Sequence, residues 1–232
     1  IRNGLVSDSR DKLRLTLNYS YTSAVDNSYN SFNINGSVTY QPINALQVSL
    51  QPSYTINDDQ YQYVEEQSFR NEARYINAYI SQRILQFPLR IDYIITPDIS
   101  IQYWGQPFIS RGTYQDFKYT TKSTAREFDE RGNAYTAQHI SFGGGTYKVF
   151  VDLDSSIDYY FFDPAFSFTL WRSIFVFRWE YIPGSTIFLV WSQDITQFGN
   201  PNDQLFDGLR SGILDNKPEN IFLLKFTYRF LR

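Results

Sequence analysis

The sequence predicts an all-β protein: an antiparallel transmembrane β barrel of about eight strands, self-contained or part of a larger barrel. Three observations carry this. Segments of about the 9–11 residues that a tilted transmembrane strand needs alternate strictly between apolar and polar side chains. The connections between them alternate in length, which gives short periplasmic turns on one rim and long extracellular loops on the other. Finally, the 232 residues hold 19 Tyr, 20 Phe and 4 Trp, yet mean hydropathy is −0.39. A transmembrane barrel has this composition because only every second residue of each strand meets lipid.

The strands follow in order. Leu13 to Thr22 sets Leu13, Leu15, Leu17, Tyr19 and Tyr21 against Arg14, Thr16, Asn18, Ser20 and Thr22. After the polar Asp26-Asn27-Ser28, Phe32 to Tyr40 alternates again, turns at Gln41-Pro42-Ile43-Asn44-Ala45 and returns as Leu46 to Ile56. Residues 57–82 read as a long charged loop, with Tyr75 to Ile80 extending a strand beyond the membrane. Leu85 to Thr96 is the next crossing, and the tight turn Thr96-Pro97-Asp98 sends Ile99 to Phe108 back. Residues 111–163 form the longest irregular region, inside which Tyr147, Val149 and Val151 suggest a hairpin.

The strongest stretch is Trp171 to Trp191. Phe175, Phe177, Trp179 and Tyr181 fall on one face, and Arg172, Arg178 and Glu180 on the other. Pro183-Gly184-Ser185 turns the chain, and Ile187, Leu189 and Trp191 resume the alternation. A loop over 197–219 leads to a last strand, Asn220 to Leu231, with Phe222, Leu224, Phe226, Tyr228 and Phe230 on the apolar side. Eight crossings result, treated as one barrel region spanning the whole chain.

Composition removes several function classes. The chain has no cysteine, hence no disulfide framework and no thiolate metal site. A net charge of −3 argues against a nucleic-acid partner, which needs concentrated basic surface. The apolar runs are far shorter than the ~18 residues a membrane helix needs. Ile1 has no initiator methionine or apolar leader around it, and the start reads as a cut or processing point.

Periodicity alone also fits a soluble barrel of the lipocalin kind, its apolar face turned inward. Aromatics gathered beside the short turns (Tyr40, Tyr93, Trp179, Tyr181, Tyr228 and Phe230) favour lipid, as interfacial girdles do. So do the arginines on the polar face and the long loops on one rim. The expected location is the outer membrane of a Gram-negative bacterium. The expected partners are its lipid and lipopolysaccharide, a possible membrane-protein neighbour, and the assembly machinery that reads an amphipathic C-terminal strand.

Two segments carry a family resemblance: Thr96-Pro97-Asp98-Ile99-Ser100-Ile101-Gln102, and Arg178-Trp179-Glu180-Tyr181-Ile182-Pro183-Gly184-Ser185-Thr186 followed by Phe188-Leu189-Val190-Trp191. With the closing Asn220-Ile221-Phe222-Leu223-Leu224-Lys225-Phe226, they resemble an uncharacterised group of outer-membrane barrel proteins. In that group an N-terminal module similar to family-9 carbohydrate-binding modules precedes the barrel. The resemblance implies that this chain is the C-terminal part of a longer protein. It carries over no catalytic residues.

The expected lumen face bears Arg14, Arg90, Arg172, Arg178, Lys225 and Arg229 against Asp92 and Glu180. Either these form an internal ion-pair network, with Arg90–Asp92 and Arg178–Glu180 as neighbours, or they line a basic pore for anionic or sugar-acid solutes. His139, the only histidine, lies near Ser141 and Asp152 but within no nucleophile motif. Asp152, Asp154 and Asp158, with Asp129 and Glu130, match no calcium-loop spacing. Tyr159-Tyr160-Phe161-Phe162 is a candidate sugar-stacking or docking platform. No enzymatic activity, cofactor or metal is expected. The expected role is a surface anchor or transport component linked to glycan or nutrient handling. A structural subunit of an outer-membrane complex is the alternative, and a hydrolase using His139 a remote one.

Overall fold

The computed structural model describes residues 1–230. Fifteen strands form in order: β1 (Arg2–Val6), β2 (Leu13–Ser23), β3 (Tyr29–Ile43), β4 (Leu46–Leu50), β5 (Ser53–Phe69), β6 (Glu72–Gln86), β7 (Leu89–Thr96), β8 (Ile99–Thr120), β9 (Gly132–Ala134), β10 (Ile140–Gly143), β11 (Thr146–Val149), β12 (Tyr159–Phe162), β13 (Phe166–Ile182), β14 (Ser185–Phe198) and β15 (Glu219–Thr227). An α-helix, α1 (Leu205–Leu214), precedes β15. No helix among the described residues is long and apolar enough to cross a membrane.

Twelve strands make one antiparallel sheet, with β10, β11 and β12 in a second, three-stranded one. The large sheet is an up-and-down meander. β4 and β5 form a single stave interrupted at Gln51-Pro52, and β6 and β7 another interrupted at Phe87-Pro88. The pairs Leu50↔Leu89 and Ser53↔Gln86 set the two interruptions side by side. A proline has no N–H for the ladder, but the Pro52, Pro88 and Pro107 carbonyls accept from Gly36, Gln51 and Phe87 at 2.8, 2.9 and 3.1 Å. The register therefore passes through unchanged.

Several stretches differ from expectation. β1 is an additional strand before Leu13, giving a path of nine neighbouring staves. The sheet is open: among the described residues β1 pairs only with β2, and β15 only with β14. Residues 57–82 are not irregular, because β5 and β6 continue to a two-residue turn at Arg70-Asn71. Both turn residues have positive φ (54° and 62°), the geometry that matches strand twist. β8 likewise runs on to Thr120, beyond the expected end at Phe108. The 197–219 connection contains α1, and β15 ends at Thr227, with Leu231 outside the described residues.

Register assigns every stave residue to a face. Leu13, Leu15, Leu17 and Tyr19 share theirs with Tyr40, Val38 and Ile34, and onward with Val48, Ile91, Tyr103, Phe175, Trp191 and Phe222. Large apolar side chains on this face stand open: Leu15 is 45% exposed and Leu224 70%. Buried apolar packing lies under α1, where Ile109, Ile195 and Leu209 are covered, and in a cap at the far ends of β5, β6 and β8. There Ile76, Ala78 and Phe117 pack against Val149, Tyr159 and Phe161 of the small sheet. A shift in pairing between Asn77 and Tyr79, opposite Asp116 at φ 54°, turns Phe117 onto the side of Ala78. Phe117, Tyr147 and Phe161 lie with ring centroids 4.4 to 5.2 Å apart.

Candidate functional site

The opposite face of the staves is polar, and register brings the expected charges onto it together. One row runs Arg14, Thr39, Ser49, Arg90, Trp104, Ile174, Ser192, Ile221 across eight staves. Arg14 donates to Gln41 and Gln47 at 3.4 and 3.2 Å. Arg90 pairs with Asp92 at 2.7 Å and Arg178 with Glu180 at 2.5 Å, each two residues apart on one strand face. The second Glu180 oxygen accepts the Gly184 N–H at 2.9 Å, tying the pair to the turn where Gly184 takes φ 83°. Lys225 lies opposite Phe188, its ammonium 6.0 Å from the ring centroid. Arg229 reaches the same turn, where its backbone N–H donates to Ser185 Oγ at 3.0 Å.

Three contributors to this face were missed in the sequence. Arg172 pairs with Asp194 of β14 at 2.8 Å, and Asp194 lies opposite Glu219 of β15. These carboxylates join Asp92 and Glu180 on the face, which narrows the basic excess expected there. Counting in twos from Trp191 would have placed Asp194 on the polar face. The third is Trp104, an aromatic on the polar side of β8, which the alternation pattern skips. Trp104, Arg172, Ile174, Ser192, Asp194 and Glu219 bound a groove of about 260 Å³ near the β15 edge. Toward that edge the polar face also carries Ile174, Val176, Val190, Ile221 and Leu223, so β13 to β15 are apolar on both sides.

The expected interfacial aromatics occupy the apolar face near the short turns. Tyr40 lies opposite Leu13 and Val48, Tyr93 between Leu46 and Ile101, and Trp179 between Ile99 and Ile187. Tyr181 stacks on Phe226 at 5.6 Å and 18°, while Tyr228 meets Phe230 edge-on at 4.7 Å.

The cap candidates separate. His139 Nδ1 bonds Thr136 Oγ1 at 2.7 Å, Ser141 lies opposite Lys148, and Asp152 pairs with Arg70 at 2.7 Å. No hydrogen bond among the described residues joins the three. Asp154 accepts from Ser156, which lowers its pKa, and Asp158 accepts the Val151 N–H at 2.6 Å. These carboxylates shape local turns, and no group among the described residues is placed to hold a metal ion. The aromatic run 159–162 is split by β12 alternation: Tyr159 and Phe161 enter the cap core, while Tyr160 and Phe162 face outward. It is therefore not a single platform. Deeper in the cap, Arg74 lies between the Phe69 and Tyr119 rings, at 4.4 and 4.2 Å from their centroids. Burial and the hydrogen bond to Tyr159 raise the Tyr135 pKa well above its ordinary value.

Residues 2–231 match the family model described as "Domain of unknown function (DUF5916)". The chain belongs to this family. No curated protein and no solved structure matches it. The DUF5916 description names no activity, so chemistry must be argued from the two faces of the sheet.

Proposed function

We propose that this chain is an outer-membrane β-barrel region, serving as a surface anchor or transport component linked to glycan or nutrient handling. The observation that carries the reading is the inverted distribution of apolar surface. In a soluble barrel of the lipocalin kind the apolar face is the interior and is buried. Here that face is exposed along β2, β13, β14 and β15, while ion-paired side chains and, across β2, β3, β4 and β7, mostly polar ones gather on the other. Along β8, Ile99 to Ile109 climbs roughly 25 Å at a strand rise of about 3.3 Å and a tilt near 40°, the height of a barrel's lipid-facing band. At that height α1 seats on the apolar face, where Gly208 and Gly212 let it approach Ile109 and Thr169.

The absence of cysteine makes the test direct. An environment-sensitive dye on L189C, on the apolar face, should shift to the blue when the protein is reconstituted in liposomes. The same dye on N35C, on the polar face, should not. Equal spectra at both sites would remove the membrane reading.

The open edges favour a second reading, a subunit or segment of a larger barrel complex. Neighbouring staves alternate in direction, so β1 and β15, first and ninth on the path, run the same way. Closure by antiparallel pairing then needs an odd number of further strands, and a second copy in the same membrane orientation offers only parallel edges. A larger complex should hold a fixed partner in mild detergent, or the native protein should be heavier than the 27.3 kDa of these residues.

A further inference from the structure

We infer that the groove at Trp104 is a subsite for an uncharged, polyhydroxylated solute, a neutral sugar unit rather than a sugar acid. This rests on the barrel reading above, in which the polar face lines the lumen. Trp104 and Ile174 are register neighbours and give the groove an indole and an aliphatic wall. Next to them stand one guanidinium and two carboxylates. Arg172 Nε is committed to Asp194 Oδ2 at 2.8 Å, and Asp194 Oδ1 accepts from Thr196 at 3.2 Å. The terminal guanidinium N–H groups of Arg172, the Ser192 hydroxyl, the Trp104 indole N–H and the Glu219 carboxylate make no hydrogen bond among the described residues, and all belong to residues that line the same 260 Å³. Donors and acceptors therefore converge beside an apolar surface, which suits a ring with C–H groups on one side and hydroxyls around its edge.

The charge count sets the selectivity. One cation and two anions leave the groove with a surplus negative charge, since among the described residues Glu219 has no basic partner. A carboxylate-bearing sugar would be repelled, although the face taken whole reads as basic from the sequence. The hydroxyls of a neutral sugar can bond the Arg172–Asp194 pair without displacing either charge.

The test is calorimetric titration of the folded chain in detergent with maltohexaose, cellohexaose and glucuronic acid. Binding of at least one neutral hexamer, and none of glucuronic acid, is expected. Trp104→Ala should weaken that binding about tenfold, the effect of losing one aromatic contact. Glu219→Gln, at an exposed edge position, should keep hexamer binding and admit glucuronic acid. Failure of both hexamers to bind, or unchanged binding in Trp104→Ala, would overturn the inference. The dye measurement at position 189 separates the levels. A chain that inserts but binds no sugar loses only this subsite, and a chain that does not insert loses the barrel reading with it.

Discussion

The cap and the staves are built from the same aromatic-rich composition and solve opposite problems. In the cap, Phe161 is 1% exposed and packs against Phe117 and Tyr147, as in the interior of a water-soluble domain. On the staves, Phe222 is 68% exposed although it stacks on Trp191 at 5.8 Å. The cap buries Phe117, Tyr159 and Phe161 by itself, because the small sheet folds back over the ends of β6 and β8. Among the described residues the staves have no second layer over their apolar face below α1, where the proposed membrane would take the place of a core. Apolar side chains left uncovered over several adjacent strands mark a lipid or partner surface rather than ordinary exposure.

This contrast can be broken from either side. The largest effect belongs to the cap: Phe161→Ala should cost about 3–5 kcal/mol of cap stability, read as a lower melting temperature by near-ultraviolet dichroism. Phe222→Ala should barely move the same signal. An equal loss from the two would mean that they share one kind of core.

Next comes Leu189→Arg on the apolar face. In a bilayer it should destabilise by roughly 2–4 kcal/mol, and folding yield into liposomes should fall accordingly. On a water-facing strand the same change would stay within about 0.5 kcal/mol.

Alkaline pH tests the cap through Tyr135. Burial raises the Tyr135 pKa above the ordinary tyrosine value of 10.0, so the folded cap keeps this proton when the unfolded chain loses it. The stabilisation is complete below pH 10 and declines as pH rises beyond it. Cap dichroism should therefore weaken above pH 10, and Tyr135→Phe should reduce that pH dependence, leaving the part due to Tyr147 and Tyr114, whose pKa values burial also raises.

The smallest effect is expected for Arg178→Ala. Its ion pair with Glu180 lies on a wet face if the polar side is a lumen, and loss should cost less than about 1 kcal/mol. A loss of several kcal/mol would show that the pair is sealed from water by a plug or by strands from elsewhere.

Much of this was legible in the sequence because strand periodicity is local. A period of two fixes which residues share a face, so Leu13 to Tyr21 and Phe175 to Tyr181 declared their apolar sides without knowledge of any partner. The turns at Pro97 and Pro183 were equally readable from residues that favour turns. Arg90–Asp92 and Arg178–Glu180 followed from the same counting, since residues two apart on a strand face are neighbours. The β5–β6 hairpin was hidden because its outer half is charged, and polarity there signals an exposed strand as readily as a loop. α1 was hidden because its two glycines lower helix propensity, and only close approach to Ile109 and Thr169 gives them a purpose.

The sequence by itself determined the strand-rich class, the two faces of the strands it showed and the shared side of Arg14, Arg90, Asp92, Arg172, Arg178, Glu180 and Lys225. Tertiary structure decided which strands are neighbours, and with that everything that depends on contact across chain distance. Only register places Trp104 beside the Arg172–Asp194 pair and Glu219 across from Asp194. Only the fold-back of the small sheet divides Tyr159 and Phe161 from Tyr160 and Phe162, burying one pair and exposing the other. The physical reason is range: alternation is written within a few residues, while pairing partners are set by the packing of the whole sheet.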